Sequence, residues 1–286
     1  MIEMIVSDMD GTLLNRDGEI SQANIDAIKT AQANNILFAI ASGRAQTEAL
    51  PILQKAGIKC PIITGNGAQG FDSECNVLFT YDIHKDTTQK IIDLLDKANV
   101  YYEIATTNGV YSTDANQRLE QAKHHVKSIQ PHLSDAETKA LAAAHLDKLK
   151  VTFIDSFAQI LTNPEIQILK FIVISEKGQK VLQPLGDKIA ETGEVQITSS
   201  FENNIEINAR EATKGEAVKT LADYYHKDLQ NTLVLGDNYN DISMFNIAGY
   251  SAAMENAVPE LKAIATYVST AHHLDGVAKA IHHFIK

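Results

Sequence analysis

The sequence has few cysteines, a deficit of basic residues and no long hydrophobic run. Its 286 residues include two cysteines, Cys60 and Cys75. A chain of this length needs no disulfide to fold, so two thiols fit a reducing compartment, although the sequence alone leaves a disulfide between them open. No segment reaches the ~18 apolar residues of a membrane-spanning helix. The first residues also lack the pattern of a secretory signal. These absences predict a cytoplasmic protein.

Acidic residues outnumber basic ones by 36 to 25, which gives a formal net charge of −11. This balance disfavours nucleic acid and anionic membranes as partners, because both are bound through basic patches. An acidic protein that binds phosphate must gather its positive groups locally, and a metal ion can add to them. The hydrophobic fraction of 44% is ordinary for a folded protein with a sizeable core.

Short apolar runs alternate with helical patterns near both ends of the chain. Ser21 is a good N-cap for a helix whose apolar face includes Ile25 and Ile28. The run from Ile36 to Ser42 is continuous, as expected of a strand buried on both faces. A second helical pattern ends at Gly57 before the apolar "PIIT". This alternation predicts a parallel, right-handed α/β sheet.

The middle of the chain follows a different pattern. Asn108-Gly109 is a strong hairpin signal, and residues 114–147 are polar with no strand pattern. Strands with hairpins and helices favour an inserted α+β domain. We therefore predict an α/β core formed by residues 1–81 and 208–286, and an inserted domain at residues 82–207.

Ligands of an open parallel sheet bind beyond the carboxyl ends of its strands, and four predicted loops fit that description. Asp8 and Asp10 can point into one site if the extended geometry of their strand persists. With Asp237 and Asp241 they form a set of hard oxygen ligands that suits Mg²⁺. The four loops are Asp8-Met9-Asp10-Gly11-Thr12, Ser42-Gly43-Arg44, Gly65-Asn66-Gly67, and Gly236-Asp237-Asn238 with Asn240-Asp241.

Phosphate could be held in the same region. Ser42 and the backbone N–H groups of Gly43 and Gly11 are compact donors for phosphate oxygens. Lys214, which opens a predicted helix, adds a point charge. The sequence leaves two roles open for Asn66 and Arg44. Each could contact the substrate or be an ordinary turn or helix-start residue. Adjacent histidines on a helix point in different directions, so the pairs His124-His125, His272-His273 and His282-His283 are not predicted to chelate metal.

The segments "DMDGTLL", "ASGR", Lys214-Gly215 and "GDNYND" resemble, in order and spacing, the four motifs of the haloacid dehalogenase superfamily. The insertion looks like the C2 cap of its Cof-type (subfamily IIB) phosphatases, and the resemblance spans essentially the whole chain. It implies a Rossmann-like parallel-sheet core with an inserted α+β C2-type cap. It also implies a Mg²⁺-dependent phosphoric monoester hydrolase that acts on a small phosphorylated metabolite, such as a sugar phosphate, through an aspartyl-phosphate.

The resemblance also implies a role for each motif residue. Asp8 would be the nucleophile and a metal ligand. Asp10 would be the general acid and base, with its backbone carbonyl on the metal, and Asp237 would be the third ligand. The phosphoryl group would be held by Met9 (backbone N–H), Ser42, Gly43, Lys214 and Asn240, with Thr12 and Asp241 in supporting roles.

Two alternatives remain open from the sequence. A phosphomutase, which is an isomerase, would use similar core chemistry. A non-enzymatic phosphate-responsive regulator also uses acids and a lysine, but such domains normally have about 100–150 residues and lack a large insertion. The presence of Asp10 also argues against a regulator, because a passive switch requires no acid/base.

Overall fold

The computed structural model describes residues 1–148, 151–199 and 202–285. The chain forms two compact units, one of Met1–Tyr81 with Glu211–Lys286 and one of Asp82–Arg210. The return into the first unit lies at Glu211 rather than at residue 208, because the strand that contains residue 208 runs to Ala209.

The strands of the described residues are, in chain order, β1 Met4–Ser7, β2 Leu37–Ala41, β3 Ile62–Thr64, β4 Gln69–Phe71, β5 Val77–Thr80, β6 Tyr101–Thr106, β7 Gly109–Ser112, β8 Val151–Phe153, β9 Ile168–Ile174, β10 Val195–Thr198, β11 Asn204–Ala209, β12 Thr232–Gly236, β13 Tyr250–Ala253 and β14 Tyr267–Val268. The helices are α1 Gln22–Ala33, α2 Gln46–Lys55, α3 Lys85–Ala98, α4 Ala115–Ile129, α5 Asp135–Lys148, α6 Ala158–Leu161, α7 Gln179–Ala190, α8 Lys214–Tyr224, α9 Ile242–Phe245, α10 Pro259–Ile264 and α11 Gly276–Phe284.

The first unit is built on an eight-stranded sheet of order β14-β13-β12-β1-β2-β3-β4-β5. The strands from β14 to β3 are parallel, whereas β4 and β5 add an antiparallel edge. The predicted Rossmann-like α/β core is therefore confirmed.

Side chains that alternate along β1 enter hydrophobic clusters on opposite faces of this sheet. Ile5 belongs to a cluster with α1, α2 and α11. Met4 and Val6 belong to a cluster with α8, α9 and α10. Burial on both faces explains why the strand is a continuous apolar run.

Two strands of the first unit, β13 and β4, were not predicted from the sequence. β13 reads Tyr-Ser-Ala-Ala, and small residues give little strand signal. β4 has three residues and contains Gly70, a weak strand residue. A Cβ on Gly70 would lie 2.2 Å from the ring of Phe79 in β5, so close packing of these two strands requires glycine there.

The second unit has a six-stranded sheet of order β10-β11-β9-β6-β7-β8. All pairs are antiparallel except β7 with β8. β6 and β7 form the predicted hairpin, and residues 114–147 contain α4 and most of α5 without a strand. This combination of an antiparallel sheet with helices is the predicted α+β class.

Both cysteines are free thiols. Cys60 is buried, and its burial raises the pKa of the thiol to about 12. Cys75 is exposed. Among the described residues, no helix has the length and apolar character needed to cross a bilayer.

Candidate active site

Asp8 follows directly on β1 and is buried at the carboxyl end of the parallel strands. Its backbone N–H donates to the carbonyl of Leu235 in β12 (2.9 Å), which extends the sheet pairing by one residue. Lys214, the first residue of α8, donates from Nζ to Asp8 Oδ1 over 2.6 Å. The two side chains are 206 positions apart in the sequence and meet in a site with almost no solvent exposure.

Lys214 also bridges to a second carboxylate, since its Nζ lies 2.6 Å from Asp241 Oδ1. The other oxygen of Asp241 accepts the backbone N–H groups of Asp237 (2.9 Å) and Asn238 (3.0 Å). Asp241 therefore fixes the turn after β12 and the ammonium of Lys214 at once. Asp237 in this turn receives a hydrogen bond from the Thr12 hydroxyl to Oδ1 (2.9 Å).

Two glycines make room for these carboxylates. Gly11 has a φ of +80°, and a Cβ there would lie 2.4 Å from Asp237 Oδ2. A Cβ on Gly236 would lie 2.5 Å from Asp241 Oδ2. Both positions allow the backbone to approach an acidic side chain more closely than any other residue would permit.

Burial makes negative charge unfavourable in this cluster. Desolvation raises the pKa of Asp8 to about 8, with Lys214 opposing the shift and Asp241 adding to it. Desolvation and Asp241 also raise the pKa of Asp237 to about 6. Burial by itself would lower the pKa of Lys214, but Asp241 and Asp8 outweigh it, so that pKa is raised and the ammonium stays charged.

We expect the metal-free protein to lose stability as the pH rises from about 5 to 8. A carboxyl with a folded-state pKa of about 8 and an ordinary value of 3.8 holds its proton in the folded but not the unfolded state across this window. Raising the pH therefore favours unfolding until Asp8 ionises in the folded protein. Urea unfolding at several pH values with chelator present measures this slope. Asp237 contributes to the same slope only up to about pH 6. Asp8→Asn should therefore remove most of the slope between pH 6 and 8, and an unchanged slope there would contradict the assignment to Asp8.

The donor set fits a hard divalent cation. Asp8, Asp237 and Asp241 each offer a carboxylate oxygen, and these oxygens lie within 4.8 Å of one another. The set contains no thiolate or imidazole, which favours Mg²⁺ over zinc or copper. Because Asp241 already receives Lys214 and two backbone N–H groups, Asp8 and Asp237 have more lone pairs available for a metal ion.

Asp10 lies apart from this cluster in the described conformation. Both of its oxygens accept from Arg44, one from Nε and one from a terminal nitrogen, each over 2.7 Å. The Asp10 side chain is 57% exposed. The i, i+2 spacing with Asp8 suggested a shared site, but the backbone turns at Gly11 and the Asp10 side chain pairs with the "ASGR" loop instead. Sequence reasoning did not predict this pair.

The remaining predicted phosphate-binding groups lie in adjoining loops. Ser42 is buried, and its hydroxyl accepts the N–H of Arg44 (3.2 Å). A Cβ on Gly43 would lie 3.0 Å from Asn66 Oδ1, which accepts from Asn240 Nδ2 (3.0 Å). Asn240 and Asn66 thus join the loops after β12 and β3. The side chain of Met9 is buried in the hydrophobic cluster that contains α1.

The histidines make contacts outside the acidic cluster. His272 Nδ1 lies 2.6 Å from the Leu14 carbonyl, and His273 Nε2 lies 3.2 Å from the Arg16 guanidinium. His124 pairs with Glu176, and the ring of His283 stacks on Tyr267. The side chain of His125 lies outside the described residues. Among the described residues, the only group of three or more His, Cys, Asp or Glu side chains with ligand-like spacing is the acidic cluster of Asp8, Asp237 and Asp241.

A parallel α/β core with acidic side chains and a buried lysine at the carboxyl ends of its strands is typical of enzymes that bind phosphorylated ligands. A model of the haloacid dehalogenase-like hydrolase family matches residues 5–281. The chain belongs to this family. The predicted resemblance and the predicted class, a hydrolase, are therefore confirmed.

Two curated relatives come from Bacillus subtilis (strain 168). Phosphatase YwpJ is 30% identical, with 99% of this chain and all of the relative aligned. The 5-amino-6-(5-phospho-D-ribitylamino)uracil phosphatase YwtE is 31% identical, with 97% of this chain and 96% of the relative aligned. A solved haloacid dehalogenase-like hydrolase from B. subtilis superposes with a TM-score of 0.83 at 29% identity, covering 99% of this chain and all of that one. These names agree with the predicted phosphoric monoester hydrolase.

Proposed function

We propose that the protein is a Mg²⁺-dependent phosphatase that hydrolyses a small phosphorylated metabolite through an aspartyl-phosphate on Asp8. The observation that carries this proposal is the buried contact of Asp8 with Lys214 beside Asp237 and Asp241. It combines a carboxylate nucleophile with a fixed positive charge and a set of metal ligands.

In the first step, an oxygen of Asp8 attacks phosphorus and the bond to the leaving oxygen breaks. The Asp10 carboxyl gives its proton to that oxygen, so the leaving group departs as an alcohol. Lys214 neutralises charge on the transferring phosphoryl oxygens. Ser42, Asn240 and the backbone N–H groups of Met9 and Gly43 supply further donors.

In the second step, water attacks the phosphorus of the aspartyl-phosphate. The Asp10 carboxylate takes a proton from this water, the bond between phosphorus and the Asp8 oxygen breaks, and inorganic phosphate leaves. Asp8 is regenerated as a carboxylate, and Asp10 is protonated for the next cycle. Proton transfer requires the Asp10–Arg44 pair to open, because both Asp10 oxygens accept N–H groups of the Arg44 guanidinium in this conformation.

Mg²⁺ would be held by Asp8, Asp237 and the backbone carbonyl of Asp10. When bound, it neutralises negative charge on the ligands and the phosphoryl group. Thr12 would orient Asp237, and Asp241 would hold Lys214 and the turn after β12. We further infer that the second unit serves as the cap and selects the leaving group, as the family resemblance implies.

The test is phosphate release from a panel of phosphorylated metabolites, with Mg²⁺ and with chelator. The panel should contain sugar phosphates, 5-amino-6-(5-phospho-D-ribitylamino)uracil and p-nitrophenyl phosphate, with bis(p-nitrophenyl) phosphate as the diester control. We expect Mg²⁺-dependent release from one or a few monoesters and none from the diester. An isomerised sugar phosphate without free phosphate would instead identify a mutase. Inactivity toward every monoester would count against the proposal.

A further inference from the structure

Asn256 is a polar residue next to the acidic cluster that no sequence motif singled out. It lies in the loop between β13 and α10. The backbone of this loop is hydrogen-bonded to the turn after β12. The Met254 N–H donates to the Gly236 carbonyl (3.1 Å), and the Val258 N–H donates to the Asp237 carbonyl (2.9 Å). Asn256 therefore projects from a segment already fixed against a proposed metal ligand.

The side-chain amide of Asn256 has a defined orientation. Its Oδ1 accepts the backbone N–H of His272 (3.0 Å), which identifies that end of the amide as the acceptor. The other end, Nδ2, donates to the Gly11 carbonyl over 2.8 Å and lies 3.5 Å from Asp237 Oδ2. The amide thus bridges the loop after β1 to the turn after β12.

Asp237 is held by donors on both of its oxygens. Thr12 donates to Oδ1, and Asn256 lies against Oδ2 while fixing the carbonyl of Gly11. Because Gly11 has no side chain, its backbone can lie this close to Asp237 Oδ2. The direction in which Asp237 presents its remaining lone pairs therefore depends on Thr12 and Asn256 together.

We propose that Asn256 is a positioning residue that sets the orientation of Asp237 and of the Gly11 turn for Mg²⁺. The inference rests on the proposed metal site but not on the proposed hydrolysis. Mg²⁺ requires near-ideal octahedral geometry, whereas Ca²⁺ accepts flexible coordination. Losing an orienting donor should therefore weaken Mg²⁺ binding more than Ca²⁺ binding. A general loss of charge or of folding would lower the affinity for both ions by a similar factor.

The test is calorimetric titration of the full chain with Mg²⁺ alone and Ca²⁺ alone, for wild type and Asn256→Ala. Partners that orient metal ligands typically change affinity by 10–100-fold. We expect the Mg²⁺ Kd to rise about 10-fold and the Ca²⁺ Kd by no more than about 3-fold. Thr12→Val removes the other donor to Asp237 and should show the same selective loss. Asn34→Ala is the matched control, because this exposed amide also donates to a backbone carbonyl, that of Thr30, at the amino edge of the sheet.

The inference would be overturned by an unchanged Mg²⁺ Kd in Asn256→Ala, or by an equal loss of affinity for Mg²⁺ and Ca²⁺. A wild-type chain that binds no Mg²⁺ would overturn it too, together with the metal site. A wild-type chain that binds Mg²⁺ but hydrolyses no phosphate would contradict the proposed function alone. The Kd ratio of the two ions would then still decide the role of Asn256.

Discussion

Replacing Asp8 with asparagine is expected to lower phosphate release by about 10⁴-fold or more without unfolding the protein. Asparagine has nearly the same shape but is a far weaker nucleophile, so no aspartyl-phosphate would form. Folding should be preserved, because burial already raises the pKa of Asp8 and disfavours its charge. Lys214 would keep its second partner, Asp241. Steady-state phosphate release and thermal unfolding with chelator measure the two effects.

A covalent intermediate gives an independent check on Asp8. Rapid quench of wild-type enzyme during turnover, followed by mass spectrometry of peptides, should find a phosphoryl group on the peptide that contains Asp8. The Asp8→Asn protein should carry none. Asp17→Asn, at an exposed residue of the same segment, is the control for loss of a carboxylate and should turn over normally. Normal hydrolysis by Asp8→Asn would rule out the covalent mechanism.

Replacing Asp10 with asparagine is expected to impair substrates with poor leaving groups most severely. An alkyl phosphate needs a proton on its leaving oxygen, whereas p-nitrophenolate leaves unaided. General acid catalysis contributes 10²–10⁴-fold, so kcat/KM should fall by about 10³-fold for the alkyl phosphate and by less than about 10-fold for p-nitrophenyl phosphate. The ratio kcat/KM is the suitable quantity because it reports formation of the aspartyl-phosphate and not its hydrolysis.

Measuring Mg²⁺ affinity distinguishes loss of the Asp10 general acid from damage to the metal site. The proposed metal contact of Asp10 is its backbone carbonyl, so Asp10→Asn should bind Mg²⁺ with nearly unchanged affinity. Arg44→Gln breaks the same ion pair but keeps the Asp10 carboxyl, and it should not reproduce the alkyl-selective loss. Equal losses for both substrates in Asp10→Asn would contradict its role as the general acid.

Sequence patterns were sufficient for β1, β2 and β12 because these central parallel strands are buried on both faces. β1, β2 and β12 are continuous apolar runs, and such runs have few alternatives in a folded chain. β13 and β4 were missed because their place in the sheet depends on neighbours rather than on their own composition. Their small side chains and glycine carry no periodic signal.

The site could be anticipated only where its residues lie in motifs. Asp8, Lys214, Asp237 and Asp241 were predicted from their motifs, and the structure brings them together. The roles assigned to them stay predictions until the experiments above are done. Neither the pairing of Asp10 with Arg44 nor the bridge made by Asn256 could be predicted. Both are contacts between loops that are far apart in sequence, and their side chains are common surface types.

The order of strands in the first sheet bears on how the chain folds during synthesis. β1 is central, but one of its two neighbours, β12, begins only at Thr232, after the whole second unit. A nascent chain can pair β1 with β2 early, yet the opposite edge of β1 stays open until nearly all residues have left the ribosome. Unpaired strand edges of this kind promote aggregation. The second unit is continuous in sequence and can fold before the first unit is complete, which would leave the closing of the core sheet as the last step.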